Sequence, residues 1–355
     1  MAFGMVGRSM AMPRQTGRNP ARGALQHTSA YAPPGRRTYG ALDLGTNNCR
    51  LLIARPSDDG FVIVDAFSRI VRLGEGLAAS GRICDAAMDR AVSALAICGE
   101  KLRRRHVHLA RSVATEACRQ AANGAEFIDR VHRETGIVLD IISAEEEARL
   151  AVMGCHVLLE PGEGPALIFD IGGGSTELVL IDTDGDEPRT IDWFSAPWGV
   201  VSLTEIEDID LSTREGRLEG YARMRARVTS SFADFAARLE RDGRQASRLL
   251  GTSGTVTTLA SVHLELPSYD RNAIDGLIVP AEAMRAISTK LAGMSFADRV
   301  EMPCIGEERA DLVVAGCAIL ESILDLFPTE RLGVADRGIR EGILRTLMAR
   351  DGHLQ

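Results

Sequence analysis

The chain has 355 residues, 45% of them hydrophobic, with 41 Lys and Arg against 49 Asp and Glu for a formal net charge of −8. That length exceeds the roughly 100 to 200 residues expected of one domain and carries enough apolar content for two cores. An acidic body with no uninterrupted apolar run near the ~18 residues of a membrane span argues against both a membrane protein and a nucleic-acid binder.

Residues 1–38 hold six arginines, at 8, 14, 18, 22, 36 and 37, and no acid, so removing those six charges leaves the body at −14. The segment is rich in Gly, Pro, Ser and Arg without apolar periodicity and reads as a disordered basic tail. It lacks the compact apolar core of a secretory signal, and a cytoplasmic location is expected. The seven cysteines, at 49, 84, 98, 118, 155, 304 and 317, stand singly with no Cys-x-x-Cys, so a disulfide framework or zinc site is not expected. The seven histidines form no ligand spacing either, which leaves oxygen as the expected donor to any metal.

Past the tail, strands are predicted at 39–44, 50–54 and 61–65. From Asp85, apolar Met88, Val92 and Leu95 recur at helical spacing ahead of a basic last turn. "LARSVATEACR" reads as a strand, a polar turn and a helix. "AEFIDRVHRETG" is a helix closed by Gly136, "IVLDII" a strand, and Ser143 opens another helix as a capping box with Glu146. Alternation of this kind implies an α/β fold. The expected organisation is an N-terminal domain over 39–160, a C-terminal domain over 161–335, and a last helix within 336–355 packing back on the first domain.

The second domain restarts the pattern of the first. "ALDLGTNNCRLLI" (41–53) and "IFDIGGGSTELVL" (168–180) align as Asp, aliphatic, Gly, four small or polar residues, one charge and three aliphatics. Asp43 matches Asp170, Gly45 matches Gly172, and Arg50 matches Glu177. Such repetition points to two like-folded halves facing across a cleft. A hairpin turn of Gly172, Gly173, Gly174, Ser175 and Thr176 aims N–H groups at one point without side chains to obstruct them, as an anion cradle does. The flanking Asp170 and Glu177 repel phosphate but suit a Mg²⁺ that touches it. In the first copy, Asn47 and Asn48 tolerate unusual turn angles and Arg50 can clamp a phosphate oxygen. A third loop, "LLGTSGTVTTLA", places Gly251, Ser253, Gly254 and Thr255 where a strand meets a helix N-terminus, although many such loops use this composition for geometry alone. Neither Gly-x-x-x-x-Gly-Lys-[Ser/Thr] nor Gly-x-Gly-x-x-Gly occurs in these loops, which disfavours P-loop and dinucleotide folds.

In "ISAEEEARLAVMGC", Glu147 shares a helix stripe with Leu150, Ala151 and Gly154 and points inward, while Glu145 and Glu146 do not. An inward carboxylate is costly unless it serves a site or meets an arginine.

The series "ALDLGTNNCRLLIA", "VATEACR", "ISAEEEARL", "IFDIGGGSTEL", "GTSGTVTTLA", "ERADLVVAG" and "REGIL", in that order over roughly residues 39–350, resembles the exopolyphosphatase and guanosine pentaphosphate phosphohydrolase family. That family lies within the actin, sugar kinase and Hsp70 ATPase superfamily. The resemblance implies two related actin-like (ribonuclease H-like) domains and Mg²⁺-dependent removal of the terminal phosphate of a polyphosphate chain in the cleft between them. It assigns Glu147 as the base that activates water, Asp170 and Glu177 to catalytic and metal positions, and Asp43 as the corresponding metal-site acid of the first loop. Thr46, Asn47, Asn48, Arg50, Gly173, Gly174 and Ser175 match the phosphate loops, and Arg119 a substrate-facing arginine. Longer members carry an added helical region, so the chain resembles the short two-domain form. Guanosine pentaphosphate or another nucleotide then stands as an alternative substrate. A superfamily kinase and a non-enzymatic alarmone-binding or polyphosphate-binding module are the rival classes, and a homodimer is expected.

Overall fold

The computed structural model describes residues 37–58, 60–185 and 187–354, with the backbone of Ala24–Leu25. Apart from Ala24–Leu25, Arg37 and Thr38, the predicted disordered tail lies outside the described residues.

Two six-stranded sheets share the topology of five of their strands. The first comprises β1 (Ala24–Leu25), β2 (Tyr39–Leu44), β3 (Asn48–Ser57), β4 (Gly60–Ile70), β5 (Leu109–Ala114) and β6 (Asp140–Ile141). The second comprises β7 (Ala166–Ile171), β8 (Thr176–Asp182), β9 (Arg189–Ala196), β10 (Arg248–Thr252), β11 (Ile278–Pro280) and β12 (Arg331–Ala335). In each, an antiparallel meander (β2, β3, β4; β7, β8, β9) is extended by a strand parallel to its first member, β5 beside β2 and β10 beside β7. A further parallel strand follows, β6 beside β5 and β12 beside β10. Helices cover both faces of both sheets, which is why the central strands are buried almost without alternation.

The predicted strand over 137–142 shrinks to Asp140–Ile141. The outer edge of β5 is divided, β1 pairing at Ala110 and Arg111 and β6 only at Val113 and Ala114. Ile137, Leu139 and Ile142 are buried as side chains instead of extending the ladder.

One helix belongs to both halves. Ala144–Cys155 sends Leu150 and Ala151 into the core against β2 and β3, with Tyr39, Ala41 and Leu52. From the same helix Ala148, Val152 and Cys155 pack on Ala166, Ile168 and Val179 of the second sheet. It crosses the Ile339–Arg350 helix at glycines, since a Cβ on Gly154 would overlap the Gly338 carbonyl and one on Gly342 the Leu150 carbonyl. Ile343, Leu344 and Leu347 of that last helix fill the core beside Tyr39 and Val113.

Candidate active site

The aligned sequences fold into superposable hairpins. Asp43 stands opposite Arg50 in β2–β3, and Asp170 opposite Glu177 in β7–β8. The turns close with the same bond, Gly45 N–H to Asn48 O at 2.9 Å and Gly172 N–H to Ser175 O at 2.9 Å. They meet face to face. A Cβ on Gly173 would lie 2.9 Å from Thr46 Cβ and 3.1 Å from Asn47 N, and one on Gly174 would press on Thr46 Oγ1 and Glu116. Gly173 and Gly174 are therefore small first of all because the opposing turn sits on them.

Between the halves lies a cleft of about 140 Å³, lined by both turns with Asp43, Arg50, Glu147, Asp170, Ser253, Gly254, Thr255 and Arg309. One water requires roughly 10–15 Å³, so a short run of phosphates fits.

Glu147 is only 7% exposed and is fixed by Arg119. Both guanidinium nitrogens Nη1 and Nη2 donate to Glu147 Oε2 at 3.1 Å, Nη1 also donates to Ile142 O at 2.7 Å, and Nη2 donates to Glu116. Of the Glu147 carboxylate, only Oε2 is engaged by these donors, and the side chain lines the cleft. Ser143 caps this helix by accepting from Glu146 N–H at 3.2 Å. The predicted reciprocal capping box does not form, because the Glu146 carboxylate accepts from Arg111 and Arg149 at 2.8 Å. Charged donors outcompete a backbone N–H.

Four carboxylates share this interior and each has its proton affinity raised. Burial, then the charge of Glu177, pushes Asp170 up to about 8 against the pull of Arg50. Burial also raises Glu177 to about 7 although Ser175, Ser195 and Arg119 favour its charge. Glu147 is raised well above the ordinary range by burial, Glu177, Asp43 and Asp170, with Arg119 opposing. Asp43 is raised by burial, with Arg50 and Arg340 opposing. Among the described residues, no three His, Cys, Asp or Glu side chains group closely enough to cage a metal ion. Mg²⁺ needs no such cage, since it keeps several waters and takes one or two carboxylates plus substrate phosphates. Asp43 Oδ1 is buried without a hydrogen bond and Asp170 lines the same cleft, and this pair fits such an ion.

The sequence profile of the Ppx/GppA phosphatase family matches residues 52–351. The chain belongs to the Ppx/GppA phosphatase family. Exopolyphosphatase 2 of Mycobacterium tuberculosis is 30% identical over 324 residues, covering 86% of this chain and 97% of the relative. The crystal structure of the Aquifex aeolicus Ppx/GppA family member superposes with a TM-score of 0.71 at 28% identity, over 89% of this chain and 99% of that one. An exopolyphosphatase structure from Cytophaga hutchinsonii gives 0.77 at 25% identity, over 90% and 99%. The fold is thus the two-domain actin-like α/β fold of Ppx/GppA proteins, and the chain is an enzyme of the phosphohydrolase class.

Against this Ppx/GppA frame, the cleft gathers most of the predicted residues: Asp43, Thr46, Asn47, Asn48, Arg50, Glu147, Asp170, Gly172, Gly173, Ser175, Ser253, Gly254 and Thr255. Others stand outside its lining. Glu177 accepts from Ser195 Oγ at 2.8 Å, and Thr176 Oγ1 donates to Trp198 O at 2.6 Å. Gly251 makes room for the Phe169 ring within the sheet. Arg119, for which the resemblance implies a substrate contact, donates to Glu147 and Glu116 and is not among the residues lining the cleft. At the third loop, Ser253 Oγ accepts from Thr255 N–H at 3.2 Å and caps its own helix. Thr115, Glu116, Thr258 and Arg309 line the cleft and were not singled out. Arg309, which donates to Thr258 Oγ1 at 2.6 Å, lies in the quoted "ERADLVVAG", but nothing local marks that arginine as inward.

Proposed function

We propose that this protein hydrolyses the terminal phosphoanhydride bond of inorganic polyphosphate and releases orthophosphate. The observation that carries the reading is Glu147, held by Arg119 at the wall of a cleft into which both hairpin turns open. In this reading the terminal phosphate lies against the N–H groups of the two turns, with Arg50 and Arg309 countering its charge. Mg²⁺ held by Asp43 and Asp170 would supply charge neutralisation at the phosphate oxygens. Glu147 accepts a proton from a water aligned with the bond; the water oxygen bonds to the terminal phosphorus, the bridging P–O bond breaks, and the electron pair leaves with the shortened chain. Its raised proton affinity suits a base, and Arg119 opposes that rise.

The names of the M. tuberculosis and C. hutchinsonii relatives support polyphosphate over other phosphoanhydrides. The test is orthophosphate release with Mg²⁺ from long polyphosphate, short polyphosphate and guanosine pentaphosphate in parallel, beside Glu147→Gln. Release from polyphosphate that vanishes in the variant is expected. Faster release from guanosine pentaphosphate reassigns the substrate, and none from any of the three returns the protein to the kinase or binding-module classes.

A further inference from the structure

The chain segment just past β4 is bound to the first turn on one side and to the second half of the molecule on the other. Asn47 O accepts from Val71 N–H at 2.8 Å and from Arg72 N–H at 3.0 Å, and Thr46 O accepts from Gly74 N–H at 2.9 Å. Arg90 braces the segment from behind, its Nε donating to Val71 O at 2.8 Å and its Nη2 to Arg72 O at 3.3 Å. Arg72 is held at φ 47, a left-handed angle that a residue with a side chain adopts only when its surroundings impose it. So placed, Arg72 Nη1 reaches across to Asp311 Oδ2 at 3.1 Å. Four residues on, Gly76 N–H donates to Glu205 Oε1 of the second half at 2.8 Å. Ile70, Leu312 and Val313, the neighbours of the ion pair from opposite halves, all line the cleft, and Arg309 stands two residues before Asp311.

We propose that Arg72 and Asp311 are the catch of a latch that holds the two halves shut over the cleft, opening to admit the phosphate chain and reclosing on it. The connections are short at both ends. Arg72 is tied through its own N–H to Asn47 of the first turn, and Asp311 through two residues to Arg309, so closing the pair brings both phosphate-facing segments together. The latch is also weak enough to cycle. Both side chains are partly exposed, at 40% and 31%, and Asp311 Oδ1 is buried without a hydrogen bond, a cost that the ion pair with Arg72 offsets. The inference rests on the cleft being the substrate site, whichever phosphoanhydride is cut there.

The test measures the distance between halves with a fluorophore pair, one dye on each, in the full chain without substrate, for wild type, Arg72→Gln, Asp311→Asn and the double variant. Loss of one partly exposed ion pair is expected to shift the open-to-closed ratio about two- to fivefold toward open. The double variant should shift no further than either single, as for partners in one interaction. Orthophosphate release should then show KM raised by at most that factor and kcat nearly kept, because closure grips the bound chain equally before and during reaction. An unchanged distance in Arg72→Gln, additive shifts in the double variant, or a fall in kcat with KM unmoved each overturns the latch. If the wild type releases no orthophosphate from any substrate, the proposed function fails, and the distance measurement still decides the latch.

Discussion

The two hairpins have one scaffold and opposite chemistry. Strand register, turn bond and leading aspartate are the same in β2–β3 and β7–β8, yet the residue facing that aspartate is Arg50 in one and Glu177 in the other. Arg50 lines the cleft and counters the charges of Asp43 and Asp170. Glu177 stays out of it, bonds Ser195, and raises the proton affinity of Glu147 and Asp170. One scaffold supplies the geometry, and a charge reversal at the mirrored position gives one hairpin an arginine that faces the cleft and the other a carboxylate that tunes the acids around it.

Glu147→Gln gives the largest expected effect, because Glu147 is the group both hairpins surround. Turnover should drop roughly 10² to 10⁴ while binding persists, read by orthophosphate release beside a direct binding isotherm. The mirrored pair comes next. Arg50→Gln should raise KM about ten- to hundredfold, the worth of one charged hydrogen bond. Glu177→Gln should instead leave KM near wild type and move the acid limb of the kcat/KM profile to lower pH, since removing a neighbouring negative charge lowers the Glu147 pKa. Equal effects of the two substitutions on KM would dissolve the distinction between the hairpins.

A smaller effect separates the turns by packing. Gly173→Ala places a methyl 2.9 Å from Thr46 Cβ and should cost about 1–3 kcal/mol in thermal unfolding. Gly45→Ala in the first turn meets nothing closer than Asn48 O at 3.5 Å and should be nearly neutral. The mildest effect is electrostatic. Asp170 at about 8 and Glu177 at about 7 lie above their ordinary values of 3.8 and 4.5, so between those limits the folded protein holds more protons than the unfolded chain. Stability therefore falls as pH rises through that window. In chelator, Tm should decline by a few degrees from about pH 5 to about pH 8, and Mg²⁺ should restore more at the upper end, where the carboxylates are charged. A Tm independent of pH, or Mg²⁺ acting equally at both ends, would detach the metal from these acids.

The sequence by itself determined what local chemistry can carry. Apolar runs and helical spacing placed the elements of the first half up to the helix opened by Ser143, the matched Asp-x-Gly turns announced the repeated hairpins, and the stripe through Glu147, Leu150 and Ala151 turned that glutamate inward, as it is found. Tertiary structure alone decided the partners. Arg119 and Glu147 are 28 positions apart and meet only because the helices that carry them, Glu116–Gln120 and Ala144–Cys155, follow the paired strands β5 and β6. Glu146 left its predicted capping box for Arg149 of its own helix and for Arg111 on strand β5. Gly173 and Gly174 read as an open cradle, while their closest constraint is Thr46, more than a hundred residues earlier. Arg309 and Asp311 carry no local mark at all and enter the cleft and its mouth by the docking of one half on the other. Backbone propensity acts over a few residues and is written in their order, whereas pairing of charges and close approach of turns depend on which surfaces the two cores bring together.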